Sequence, residues 1–187
     1  MKVNEKDKIN QIIGDYKYGF KTEAEVLFDS GKGLNEEVVR AISKYKNEPE
    51  WMTEFRVKAY HEFAKRPLPS FGPDLSFINF DDYTYYIKSS KGVENKWEDV
   101  PQNIKDTFEK IGIPEAERNF LAGVTTQFES EAVYHSVIDE LKEKGVIFCD
   151  TDTAVREHPE LVKQYFGTVV PLNDNKFAAL NSAVWSG

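Results

Sequence analysis

The chain has 187 residues, a net charge of −8 and a single cysteine, Cys149. That length suits one medium domain or two small ones, and 40% hydrophobic residues with 13 Phe, 9 Tyr and 3 Trp can furnish a real core. The acidic balance opposes binding to nucleic-acid phosphates, one cysteine excludes an internal disulfide framework, and a thiolate-held metal or iron–sulfur site cannot be built from this chain alone.

The first residues, Met1 to Gln11, are charged and lack the apolar stretch of a signal peptide. No run of about eighteen apolar residues is present, so no membrane-spanning helix is expected, and the cytoplasm is the expected compartment. Residues 1–30 read as peripheral. Ile9, Ile12 and Ile13 suit a short amphipathic turn, and Thr22 with Glu25 forms a capping box before the break at Ser30 to Gly33.

A helical hairpin is predicted next. Asn35 suits an N-cap, Glu36 and Glu37 place negative charge in the first turn, and Val38, Ile42 and Tyr45 recur at helical spacing. Pro49 restarts the chain into a second helix carrying the stripe Trp51, Phe55 and Ala59, widened by Met52, Tyr60 and Phe63. Pro67 and Pro69 end it near Arg66.

An irregular connection follows, then a strand over Tyr83 to Ile87 and a polar loop over Ser89 to Asn95. Further on, Ile104, Phe108 and Ile111 mark a short helix, and Pro114 opens another. Ser130 is expected to cap a helix whose Val133, Val137 and Leu141 face inward, with Lys142 and Lys144 near its end and Gly145 beyond it. Short strands are expected at Val146 to Cys149 and Thr168 to Val170. Thr151 caps a brief turn between them, and a helix runs from Pro159 through Phe166. The fold class expected is α+β, mainly helical with short strands. The chain divides into a helical region at 1–66, a linker with a short strand at 67–100, and a mixed segment at 101–187.

Few residues suggest chemistry. Cys149 as a nucleophile or ligand would need an electropositive, partly open setting; the simpler reading is a buried apolar side chain at a strand end. His61, His135 and His158 fall in separate elements without ligand spacing. The acidic pairs Glu36–Glu37, Asp81–Asp82 and Asp150/Asp152 are accounted for by a helix dipole, a turn and a cap. Tyr83, Tyr85 and Tyr86 suit a half-buried strand or, alternatively, a recognition surface. No glycine-rich loop follows a strand, so no phosphate cradle is expected. These readings assign no catalytic, cofactor-binding or metal-binding residue.

Several stretches carry a resemblance. They are Asn47 to Met52 with Phe55-Arg56 and Lys58 to Tyr60, Ile78 to Asp82, and Gly112 to Arg118 with Leu121 to Val124. The longest is Arg156 to Leu161, continuing through Tyr165 to Pro171 and then Asp174 to Gly187. Together they resemble the N-terminal region of the SufB family, scaffolds of the SUF iron–sulfur cluster assembly system. The resemblance implies a non-enzymatic scaffold working with a SufC-type ATPase and a SufD-type paralogue and receiving sulfur from a cysteine desulfurase. It also implies that a right-handed parallel β-helix follows, and that the cluster belongs to the full-length protein rather than to residues present here. The alternative is a stand-alone adaptor that uses the helical hairpin to hold a partner. A third reading makes Cys149 a nucleophile helped by a histidine. Finally, Phe177, Leu180 and Val184 form an apolar stripe beside Trp185, with two charged residues after Pro171. An uncovered, sticky helix at a truncation point is therefore expected.

Overall fold

In a computed structural model of the chain, residues 26–89, 99–111, 123–128, 130–137 and 139–186 are described. The turn at 9–13, the capping box at Thr22, most of the 89–95 loop and the helix opened by Pro114 lie outside them.

The helical hairpin forms as its caps dictate. Asn35 Oδ1 accepts from the Val38 amide at 2.9 Å, opening α1 (Glu36–Tyr45). The turn passes through Asn47 at φ 53°, a left-handed conformation that asparagine tolerates. Helix α2 (Glu50–Lys65) then runs until Arg66 turns extended ahead of Pro67. Its inward face is rotated from the predicted stripe. Met52, Arg56, Val57, Ala59 and Phe63 are buried, whereas Trp51 and Phe55 stay half-buried. Likewise Val39 and Ile42 face inward on α1, and Tyr45 instead stacks on Phe28 with ring centroids 3.9 Å apart.

The strand expected over Tyr83 to Ile87 is shorter and shifted. Strand β1 (Phe28–Asp29) pairs antiparallel with β2 (Ile87–Lys88), and Thr84 bridges Lys32. A single 3-10 turn at Phe80–Asp82 precedes them. Helix α3 (Gln102–Ile111) follows Pro101 and buries Ile104, as its spacing predicts.

The helix expected from Ser130 is overturned. Strand β3 (Gly123–Phe128) pairs antiparallel with β4 (Glu131–Val137), and only α4 (Asp139–Glu143) is helical before Gly145. The spacing of Val133 and Val137 fits period two as well as period 3.6, and the β-branched run Val124 to Thr126 supplies the partner strand. Ser130 Oγ accepts from the Ile87 amide at 3.0 Å instead of capping a helix.

The strands expected at Val146 to Cys149 and Thr168 to Val170 do not form. Neither segment has a partner strand among the described residues, and Val146, Ile147, Phe148, Val169 and Val170 are exposed. Helix α5 (Thr151–Glu157) is capped by Asp150 rather than Thr151, since Asp150 Oδ1 accepts from the Thr153 amide at 2.8 Å. Helix α6 (Pro159–Tyr165) matches its prediction.

The last helix, α7 (Lys176–Val184), is not an uncovered stripe. It lies along α2, with Ala179 and Ala183 fully buried, and small side chains let the two backbones come close. Val39, Val57, Ala59 and Ala183 form a core cluster against which Leu34, Tyr60, Leu172 and Val184 pack. The predicted stripe residues Phe177, Leu180 and Val184 are half-buried. Lys176 fastens the start of α7, its ammonium donating to Phe63 O at 2.7 Å and Arg66 O at 2.9 Å at the end of α2. The fold is thus α+β and mainly helical.

Candidate functional site

Among the described residues, the largest concentration of buried charge lies where α1, α2, β4, α5 and the end of α7 converge. Arg56 is fully buried in the α2 face. Its Nε and Nη2 grip the Glu48 carboxylate at 2.7 and 2.5 Å, and Nη1 donates to the Ala183 and Trp185 carbonyls at 3.1 and 3.0 Å. Its guanidinium also lies 4.3 Å from the Trp185 ring centre. One side chain thereby fixes both the entrance to α2 and the exit of α7.

Beside it, Lys46 places a fully buried ammonium just past α1. It donates to Asp152 on α5 and lies 3.8 Å from Glu131 Oε1 at the start of β4. The Tyr86 hydroxyl donates to the same Glu131 oxygen, and Lys88 reaches Oε2 at 3.2 Å. Burial and the neighbouring Glu131 carboxylate push the Tyr86 hydroxyl far above its ordinary value. Burial also raises the Asp152 carboxyl, and the Lys46 ammonium offsets part of that rise. Asp152 Oδ1 and Trp185 Nε1 are buried without a hydrogen-bond partner among the described residues.

The residues singled out from the sequence are mostly scattered. Cys149 is half-buried in an irregular stretch rather than at a strand end. Burial and the adjacent Asp150 push its thiol up, which disfavours the thiolate. His61 pairs with Glu36 at 3.3 Å on the exposed side of the hairpin, His158 sits between α5 and α6, and the backbone of His135 pairs with Thr125. Glu36 pairs with Arg40 at 2.7 Å in the first turn of α1. Asp81 and Asp82 are exposed in the 3-10 turn, and Tyr83 is exposed, whereas Tyr86 is buried. Only Asp152 and Tyr86 enter the cluster.

Lys46, Glu48, Arg56 and Glu131 were missed. A signal existed for one of them: Arg56 lies four residues after Met52 and seven before Phe63, inside the stripe that buries. A charge there requires a buried partner, and Glu48 waits in the preceding turn. Glu131 was hidden by the helical reading of its segment.

Fold and cluster together define a small helical module bound internally by buried ion pairs, with a β-hairpin tied to its side. Residues 33–185 match the family model described as SufBD protein N-terminal region. The chain is 60% identical over 175 residues to an iron–sulfur cluster assembly SufBD family protein of Staphylococcus haemolyticus, covering 94% of this chain and 38% of that protein. It is 59% identical, with the same coverage, to the protein of that description in Staphylococcus aureus USA300. The chain belongs to the SufBD family, and it spans about two-fifths of the length of these curated relatives. No described helix is long and apolar enough to cross a membrane.

Proposed function

We propose that the chain is the N-terminal part of a SufB-type scaffold on which iron–sulfur clusters are assembled in the cytoplasm. In this reading it is not an enzyme. The cluster is cargo of the complete protein and takes no ligands from these residues, and a parallel β-helix follows the module. The partners are a SufC-type ATPase, a SufD-type paralogue and a cysteine desulfurase system. The observation that carries the reading is the match of nearly the whole chain to the SufBD N-terminal region, at 60% identity to a relative described as an iron–sulfur cluster assembly protein. The SufB reading within the family rests on the sequence resemblance, whose strongest part runs from Arg156 to Leu161 and on through Asp174 to Gly187.

Anaerobic reconstitution with iron and sulfide tests it on two samples. The complete protein bearing this segment should develop cluster absorbance and co-purify with the ATPase subunit, while the 187-residue chain should show no stoichiometric cluster. A stable cluster at one per isolated chain, or none on the complete protein, would overturn the proposal.

A further inference from the structure

Helices α2 and α6 face each other across a groove that the buried cluster leaves open. One end is a cleft of about 380 Å³ whose walls include Trp51, Val155, Arg156 and Lys163. It continues past Trp51 and Lys163 into a hollow of about 200 Å³ floored by Phe55 and Phe166, with Lys58 on its rim. Trp51 and Phe55, one helical turn apart, are stripe residues that stay half-buried. Phe55 is held in place by Phe166, edge-on at 5.4 Å, while Lys163 lies 5.5 Å from the Trp51 ring centre.

The charges along this groove are unbalanced. Arg156 donates only to Thr153 Oγ1 and the Lys46 carbonyl, at 3.2 and 3.4 Å, and neither Arg156 nor Lys58 pairs with an acid among the described residues. Lys163 has Glu160 at 3.1 Å, an exposed pair of little strength. Glu48 also lines the cleft, but both its oxygens are taken by Arg56. A locally basic, aromatic-floored groove thus stands on a molecule of net charge −8.

We propose that the α2–α6 groove is a docking site for an acidic segment of a partner protein carrying apolar anchors. Tryptophan and arginine are the residues that most often dominate binding energy at interfaces, and here they stand side by side with a half-buried aromatic floor. The partner's carboxylates meet Arg156, Lys163 and Lys58, and its apolar side chains enter between Trp51, Phe55 and Phe166. A nucleic acid would meet the same cations but would be repelled by the acidic remainder of the chain.

The test is fluorescence anisotropy with the 187-residue chain and three labelled probes. These are a short peptide alternating Glu with Leu and Phe, the same peptide with every Glu replaced by Lys, and oligothymidylate. Saturable binding of the acidic peptide alone is expected, weakened at least about tenfold in R156E/K163E, because like charges replace opposite ones. Arg156 and Lys163 are exposed, so far-UV circular dichroism should be unchanged. If the double variant unfolds, K58E and K163E singly carry the same expectation. The proposal is overturned if the acidic peptide does not bind, if it binds these variants equally well, or if either other probe binds as tightly.

Discussion

At the scale of single residues, Arg56 and Tyr86 carry consequences that their neighbours do not. Removing one partner of a buried ion pair leaves the other charge uncompensated, at a cost of about 3–5 kcal/mol. Arg56→Ala strands the buried Glu48 carboxylate and two carbonyls at the end of α7, so a loss in that range is expected from urea denaturation. Arg56→Met combined with Glu48→Leu should recover much of it, because an apolar pair of similar volume needs no compensation. If the double variant were as unstable as Arg56→Ala, hydrogen bonds to α7 rather than the pair would dominate. Tyr86 supplies a pH dependence of known sign. Its folded-state value lies above the ordinary 10.0, so its stabilising effect is complete below about pH 10 and is lost progressively as pH rises beyond that. Tyr86→Phe should therefore lower stability at neutral pH by about 1.5–3 kcal/mol, the worth of a hydrogen bond to a charged group. The variant should close that gap above pH 10, as followed by urea midpoints across alkaline buffers.

At the scale of elements, the β3–β4 hairpin is held to the body at its turn. Among the described residues its strands pair only with each other, and a lone two-stranded hairpin is marginal in water. At its turn it is tied to the body by Glu131 to Tyr86, Lys88 and Lys46, and by Ser130 to Ile87 and Ser186. Glu131→Ala should therefore speed amide hydrogen exchange across 123–137 while α1, α2 and α7 keep their protection. Uniform acceleration would mean that the hairpin and the helical body open as one unit. The same element shows where the sequence was ambiguous. Helices with explicit caps, such as Asn35 for α1, and with terminating prolines, such as Pro67 for α2, were legible because those signals are local. The hairpin was not, because Val133 and Val137 satisfy either period and the deciding factor is a partner strand. Val146 to Phe148 failed in the opposite direction: the composition suits a strand, but no described strand pairs with it.

At the scale of the whole molecule, the expectation of an uncovered final helix fails because composition cannot show what covers an apolar face. The cover for α7 lies more than a hundred residues earlier, on α2, where Ala59 and Val57 meet Ala183 and Arg56 closes on the Ala183 and Trp185 carbonyls. The candidate cluster was illegible for the same reason. Lys46 and Asp152 are 106 positions apart, and neither signals the other locally. These long-range ties make α7 part of the core, so deleting residues 176–187 has a definite consequence. Arg56 loses both carbonyl acceptors, the α1–α2 core loses the wall supplied by Ala179 and Ala183, and the carbonyls of Phe63 and Arg66 lose the Lys176 ammonium. Each loss falls on α2, so the damage cannot stay local. The deletion should abolish the cooperative thermal transition followed by circular dichroism and raise binding of a hydrophobic dye, with helix content partly kept. A shortened chain that still melted cooperatively within a few degrees of the complete one would show that α1 and α2 hold the core without α7.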